Sequence, residues 1–509
     1  MTNRFARILI LAVALFGCCI PSLAQDQKQV LEATVNFAII KSRASADKRA
    51  EVDQLGQKAQ SAATAGNYSE ALKDYYHAFA LIRNVPWTPA SAVAASLSVR
   101  IDQTVSEPGQ TIHVDAKRLF LGDSEPADKY DAAVVLLKPN DNQPVKTLKT
   151  ISSTAADLGG HPLKLDVVLP EVEDGNYLVA LSLKPQSDSA TEIVSRIRPM
   201  IHIEHGIAQK VQAANTKLNM LKTKFKAEHH DDLLSALAVV EYQLSMLSQP
   251  SDSDVNITQI KFDNELDEAN KLLSAFESGT NPFAGKHGDF KMALYSTVDH
   301  TVQPYRLLIP SSYDGSKPFP LIIALHGAGR DENSFFDDYP NGAFKNEAEQ
   351  RGYIVACPKG RQPTSMYLGP AEQDVMDVIA QVRKNYKIDP NRIYMTGHSM
   401  GGFGTWSIAM DHPDIFAAIA PISGGGNPAN VAKIAHIPEL VVHGDADQIV
   451  PVNSSRVMVE AAKKAGAEVK YIEVPGGSHV DVAVPNFKNI FDWFDSHRKG
   501  ADAKAAGHQ

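Results

Sequence analysis

The residues most able to do chemistry are Gly397-His398-Ser399-Met400-Gly401, followed at once by Gly402. They form a G-x-S-x-G pattern between an apolar run, 392–396, and a helical pattern, 403–410. A serine on a tight strand-to-helix turn is pushed out of the sheet, where its hydroxyl can attack a substrate. A serine hydroxyl is a weak nucleophile at neutral pH and needs a base, an orienting acid and oxyanion donors. The run 440–443 leads into Gly444-Asp445-Ala446-Asp447, which offers two carboxylates at a strand end. Asp447 is favoured as the acid because it sits deeper in the loop, which leaves Asp445 as a turn-former or cap. The strand-like run 469–474 is followed by Pro475-Gly476-Gly477-Ser478-His479. His479 is the expected general base, with Asp447 holding its tautomer. One oxyanion donor is expected to be the Met400 amide. The second is expected from His326-Gly327-Ala328-Gly329, at Ala328 or alternatively Gly329, after the buried run 320–325. His326 and His398 are read as structural, with locally bonded side chains.

The elements that must carry these residues alternate strand and helix patterns over 285–500, which predicts a mostly parallel sheet flanked by helices. Ahead of it the chain changes character three times. Residues 26–90 have helical spacing, and Ala65–Leu72 with Tyr75 and Ala78 read as part of an ordinary helical hairpin. Residues 91–205 alternate apolar and polar, as in Leu97, Val99, Ile101 and in Leu163, Leu165, Val167, Leu169, with turn signals between. Asp174-Gly175-Asn176-Tyr177 has the form of a tyrosine corner, so this stretch is expected to be an all-β immunoglobulin-like sandwich. Residues 206–280 return to helical spacing and are expected to form one helical linker or subdomain that packs on the 285–500 region or on residues 26–88.

Residues 1–24 read as a secretory signal: Arg4 and Arg7, an apolar core from Ile8 to Ile20, and Ser22-Leu23-Ala24 before Gln25. Lipid attachment at Cys18 is the alternative. Removing this segment leaves 509 − 24 = 485 residues and a charge of (50 − 2) − 59 = −11. That balance points away from nucleic acid and anionic membrane as partners. A single cysteine, Cys357, remains and precludes an intramolecular disulfide. No zinc-type spacing is present, and His229-His230-Asp231-Asp232 reads as a solvated helix boundary, so neither metal nor cofactor is expected.

Taken together, Pro304–Pro310, Leu325–Gly329, Asp389–Tyr394, Gly397–Gly402, His443–Asp447 with Val450-Pro451, and Gly477-Ser478-His479 resemble one branch of the α/β-hydrolases. That branch holds esterase and polyhydroxybutyrate-depolymerase-like enzymes, also described as phospholipase/carboxylesterase-like, feruloyl-esterase-like or predicted peptidases. The resemblance covers residues 285–497 and implies a Ser399, Asp447, His479 triad with Ala328 and Met400 as oxyanion donors. Its H-G-x-x-D pattern falls on Asp447. Some bacterial members also carry an N-terminal immunoglobulin-like domain. Many members have tryptophan-rich loops near the site, whereas here Met366-Tyr367-Leu368-Gly369-Pro370 stands in that stretch. The expectation is a secreted or periplasmic serine carboxylesterase acting on a small or polymeric ester, possible as a homo-oligomer. The alternatives are a serine peptidase of the same fold, or a binding or scaffold protein with a silent hydrolase domain.

Overall fold

The computed structural model describes residues 25–123, 130–139, 144–151, 158, 163–186, 192–247, 262–362 and 364–500. The expected signal segment and Cys18 lie outside them. The chain divides into two compact units, one of residues 218–242 with 272 onward, the other ending at 217 and resuming over 243–271.

In the first-encountered unit, helices Gln25–Ile40, Arg49–Thr64 and Tyr68–Ile82 bury Phe37, Leu55, Leu72, Tyr75 and Phe79 together. Helix Pro89–Ser96 follows, opened by a capping box in which Thr88 and Ser91 exchange side-chain and backbone hydrogen bonds. The β region then runs β1 (Leu97–Ile101), β2 (Val105–Ser106), β3 (Thr111–Arg118), β4 (Tyr130–Leu137), β5 (Pro144–Ile151), β6 (Leu163–Val168), β7 (Gly175–Pro185), β8 (Ile193–Val194) and β9 (Met200–Ile203). One sheet has the order β1-β3-β6 and the other β2-β9-β7-β4-β5, with β8 on β7. Alternation makes the core: Ile112, Val114 and Ala116 of β3 point inward while Thr111, His113 and Asp115 stay exposed. The inward rows of both sheets form one cluster, which includes Val134 and Leu136 together with Val99 and Val114. The Tyr177 hydroxyl donates to the Glu173 carbonyl at 2.6 Å.

The second unit is built on β10 (Gly288–Tyr295), β11 (Val302–Ile309), β12 (Phe319–Leu325), β13 (Ile354–Pro358), β14 (Ile388–His398), β15 (Ala418–Ile422), β16 (Glu439–Gly444) and β17 (Val469–Val474). Their order is β10-β11-β13-β12-β14-β15-β16-β17. The β10–β11 and β11–β13 pairs are antiparallel and the others parallel. Every residue of β12, β13, β15 and β16 is buried, as parallel strands covered on both faces must be. On one face Phe487, Ile490, Phe491 and Phe494 of helix Phe487–Ser496 pack with Phe344, Ile322, Val355 and Tyr394. Each such side chain contributes roughly 1.5–3 kcal/mol on burial.

The stretch 206–280, expected to pack on the 285–500 region or on residues 26–88, is divided between the two units. Residues 218–242 join the second unit. Phe225 stands edge-on to Phe276 at 6.5 Å, and the ladder continues through Phe283 to Phe290 of β10. Tyr295 donates to Glu241 at 2.6 Å and Tyr242 to Glu332 at 3.3 Å. Helical periodicity shows that a face must be buried but not which neighbour buries it.

Glu439, at the start of β16, anchors helix Met400–Asp411 by accepting from Trp406 Nε1 at 2.9 Å. It is fully buried and its second oxygen has no partner among the described residues. Burial pushes its pKa up from the ordinary 4.5 to about 7, against the Trp406 bond. The folded state therefore keeps this proton where the unfolded chain releases it, so stability falls as pH rises from about 4.5 to 7 and stays low above that. The loss amounts to about 3 kcal/mol. Glu439→Gln keeps an acceptor for Trp406 and cannot ionise. Urea unfolding at pH 5 and pH 8 should show this variant gaining on the native protein at pH 8 only, and parallel pH curves would refute the assignment.

Candidate active site

β14 ends at His398 and the next helix starts at Met400, so Ser399 alone makes the turn. Its φ of 60° and ψ of −117° lie where a side chain is strained, at a cost of about 1–3 kcal/mol. The turn is held by Ser399 N–H donating to the Ile422 carbonyl at 2.9 Å and Phe403 N–H donating to the Ser399 carbonyl at 3.1 Å. The glycines follow from close approach. A Cβ on Gly401 would stand 1.9 Å from the Leu325 oxygen, and one on Gly397 would stand 2.2 Å from the Gly401 oxygen. Packing against β12 is therefore possible only without side chains there.

The loops after β16 and β17 are tied edge to edge. Asp445 N–H donates to the Val474 carbonyl and Ala446 N–H to the Gly477 carbonyl, both at 3.1 Å. Asp445 Oδ1 accepts from the Gly476 amide at 2.6 Å. Thus Asp445 ties the two loops, while Asp447 is the carboxylate that reaches His479, with Oδ2 2.7 Å from Nδ1. Asp447 Oδ1 accepts from the amides of Ile449 and Val450 at 2.8 and 2.9 Å. Burial works against its charge. The hydrogen bonds from His443 and His479, the His479 charge and the Val450 amide outweigh that, and they hold its carboxyl well below the usual carboxylate range. A carboxylate in this setting stays ionised while the imidazole beside it carries a proton.

His443 is a member of this site that sequence reasoning did not assign. It is fully buried, with Nε2 3.2 Å from Asp447 Oδ2 and 2.9 Å from the Val450 carbonyl, and Nδ1 2.7 Å from Ser455 Oγ. The available signal was its position four residues before Asp447 after a buried run.

Gly327 lies against the Ser399 turn, since a Cβ there would be 3.4 Å from Ser399 Cβ. Arg330 N–H donates to the Gly327 carbonyl at 3.2 Å, closing a turn with Ala328 and Gly329 at its centre. Among the described residues neither central amide has an acceptor, so either can serve an oxyanion, together with the Met400 amide at the helix start. Among the described residues the Ser399 hydroxyl has no hydrogen-bond partner, and catalytic hydrogen bonds in free enzymes often tighten only with substrate bound.

His326 directly precedes this turn, its Nδ1 2.9 Å from the Gly327 carbonyl and its Nε2 beside the Lys359 carbonyl. Burial lowers its pKa, against the two carbonyl contacts. Tyr367 stacks edge-on to it at 5.6 Å and is fully buried despite a φ of 54°. A Cβ on Gly360 or Gly404 would strike the Tyr367 ring, so these glycines make its slot. Its neighbour Leu368 is 40% exposed. Cys357 is buried in β13, and burial pushes its thiol well above the ordinary range. The segment His229–Asp232 begins helix Asp231–Ala236, with His229 at φ 58°. Among the described residues no helix is long and apolar enough to cross a membrane.

A family model described as PET hydrolase-like matches residues 372–494, and one described as BD-FAE matches residues 307–412. A bifunctional acetylxylan esterase/xylanase of Neocallimastix patriciarum is 32% identical over 135 residues, 26% of this chain and 20% of the relative. A probable feruloyl esterase C of Aspergillus oryzae is 28% identical over 184 residues, 35% of this chain and 68% of the relative. A poly(3-hydroxyalkanoate) depolymerase C of Paucimonas lemoignei is 30% identical over 121 residues, 21% of this chain and 28% of the relative. The chain thus spans only a fifth of the first of these proteins. The solved structure of a thermostable esterase aligns over 79% of this chain and all of its own at 18% identity and a TM-score of 0.39, too loose to carry an argument. Residues 307–494, which the two family models match between them, are similar to the α/β-hydrolase esterases.

Proposed function

We propose that this protein is a serine carboxylesterase working through an acyl-enzyme. Ser399 Oγ attacks the ester carbonyl while His479 Nε2 takes its proton. The Met400 amide and that of Ala328, or of Gly329, receive the oxyanion. His479 returns the proton to the leaving alcohol, and a water deprotonated by His479 then releases the acid. Asp447 holds the tautomer. The observation that carries this reading is the 2.7 Å Asp447–His479 pair beside a strained serine turn. Chemical roles are filled by this chain's own groups, and the mechanism calls on no cofactor.

Residues 1–24 are read as a signal, so the enzyme would act outside the cytoplasm. The β region is read as an immunoglobulin-like sandwich, supported by its two packed sheets and by the Tyr177 hydroxyl closing on the Glu173 carbonyl.

A p-nitrophenyl ester series from acetate to decanoate, with a p-nitroanilide peptide alongside, tests the reaction class. Serine-dependent ester cleavage with no anilide cleavage is expected. Anilide cleavage at comparable kcat/KM would move the assignment to a peptidase, and no serine-dependent activity on either would overturn the esterase reading.

A further inference from the structure

The nucleophile and the base come from strands that are not neighbours: β15 and β16 lie between β14 and β17. A bond spans that gap. His398 Nε2 is 2.7 Å from the backbone carbonyl of His479. A carbonyl only accepts, so Nε2 carries the proton and donates it. Nδ1 of a neutral ring is then an acceptor, and the Tyr339 hydroxyl faces it at 3.4 Å. Tyr339 is itself wedged edge-on between Phe335 at 5.4 Å and Phe487 at 4.8 Å.

We propose that His398 is a positioning residue for the general base, tying the Ser399 turn to the His479 loop through its Nε2–H, with Tyr339 steadying the far side of the ring. The proposal rests on the reading of Ser399 and His479 as nucleophile and base. Asp447 sets the rotation of the His479 ring, and Asp481 Oδ1 holds the preceding Ser478 amide at 2.7 Å. His398 supplies the remaining restraint, on the backbone of His479 itself.

A histidine suits this place because it donates without charge. The His398 and His479 rings are 5.0 Å apart and tilted by 31°. Burial first, and then the neighbouring His479, push the His398 pKa down to about 3, so it stays neutral at working pH. A lysine or arginine could make the same bond, but its positive charge would oppose formation of the His479 imidazolium in the transition state.

His398→Gln and His398→Met test this in the full chain. The two side chains match in length, and only glutamine can donate to the His479 carbonyl. Active sites are counted with a fluorophosphonate, and turnover of p-nitrophenyl butyrate is expressed per site. His398→Met should lose about 10- to 100-fold in kcat with KM within about threefold, the size expected when a base is misplaced by about 1 Å. His398→Gln should stay within about threefold of native in both. The downfield Nδ1–H proton resonance of the His479–Asp447 pair should persist in His398→Gln and broaden in His398→Met. Native turnover per site in His398→Met, or equal losses in the two variants, would overturn the proposal. Should His398→Met fail to fold, Tyr339→Phe carries the test: a fall of about 3- to 10-fold in kcat supports it and unchanged kcat overturns it. Failure of the esterase reading would show separately, as native turnover that does not depend on Ser399.

Discussion

Ser399→Ala should lower ester turnover by a factor on the order of 10⁶, with KM little changed, because the nucleophile and the proton it gives up are removed together. The variant should fold. Alanine at a φ of 60° is strained much as serine is, and the turn is held by backbone hydrogen bonds to Ile422 and Phe403 that do not involve the hydroxyl. What remains should be the contribution of the oxyanion amides and of binding, about 10³- to 10⁴-fold over water. Single-turnover kinetics should lose the burst of p-nitrophenol in step with kcat. A variant that keeps a serine-independent turnover within tenfold of native would refute the acyl-enzyme.

Asp447→Asn should cost about 10⁴ in kcat with the fold intact, for a reason specific to the donors around this carboxylate. Oδ1 accepts two backbone amides, from Ile449 and Val450, and these will hold the carbonyl oxygen of an asparagine. Its NH₂ must then face His479 Nδ1. An NH₂ donates, so Nδ1 becomes the acceptor and the His479 proton moves to Nε2, where the ring can no longer take one from Ser399. His443 tolerates the change, because its Nε2 is already 2.9 Å from the Val450 carbonyl. Asp445→Asn is the contrasting variant. Its carbonyl oxygen can still accept from the Gly476 amide, so kcat should stay within about threefold. Stopped-flow turnover and thermal midpoints of both variants check this. Equal losses in the two would mean that the carboxylate acts by charge on the loop, and not through the tautomer of His479.

Much of the candidate site was legible along the chain because it is built from short contiguous motifs. A strand that ends in Gly-His-Ser-Met-Gly-Gly can continue only through a turn that excludes side chains, and the Leu325 oxygen 1.9 Å from a Cβ on Gly401 is the physical counterpart of that spelling. The alternation of Leu163, Leu165 and Val167 likewise announced a half-buried strand. Spacing left two acids open in the His443–Asp447 stretch, since both follow the same strand by a few residues. Which one meets His479 depends on how the loops after β16 and β17 lie against each other. His443, His398 and Tyr339 were harder still, because the partners that give them roles stand up to 81 residues away.

The sequence alone determined that a serine stands on a glycine-walled turn after a buried strand, followed in order by an acid and a histidine on later loops. These are consequences of local sterics and hydrophobic period, which act within a few residues. Tertiary structure alone decided the strand order, the division of 206–280 between two units, with Phe225 joined to Phe276, Phe283 and Phe290 inside one of them, and the ring of donors around Asp447 and His479. Those depend on which buried faces meet, and a buried face specifies that it needs a partner without specifying which one.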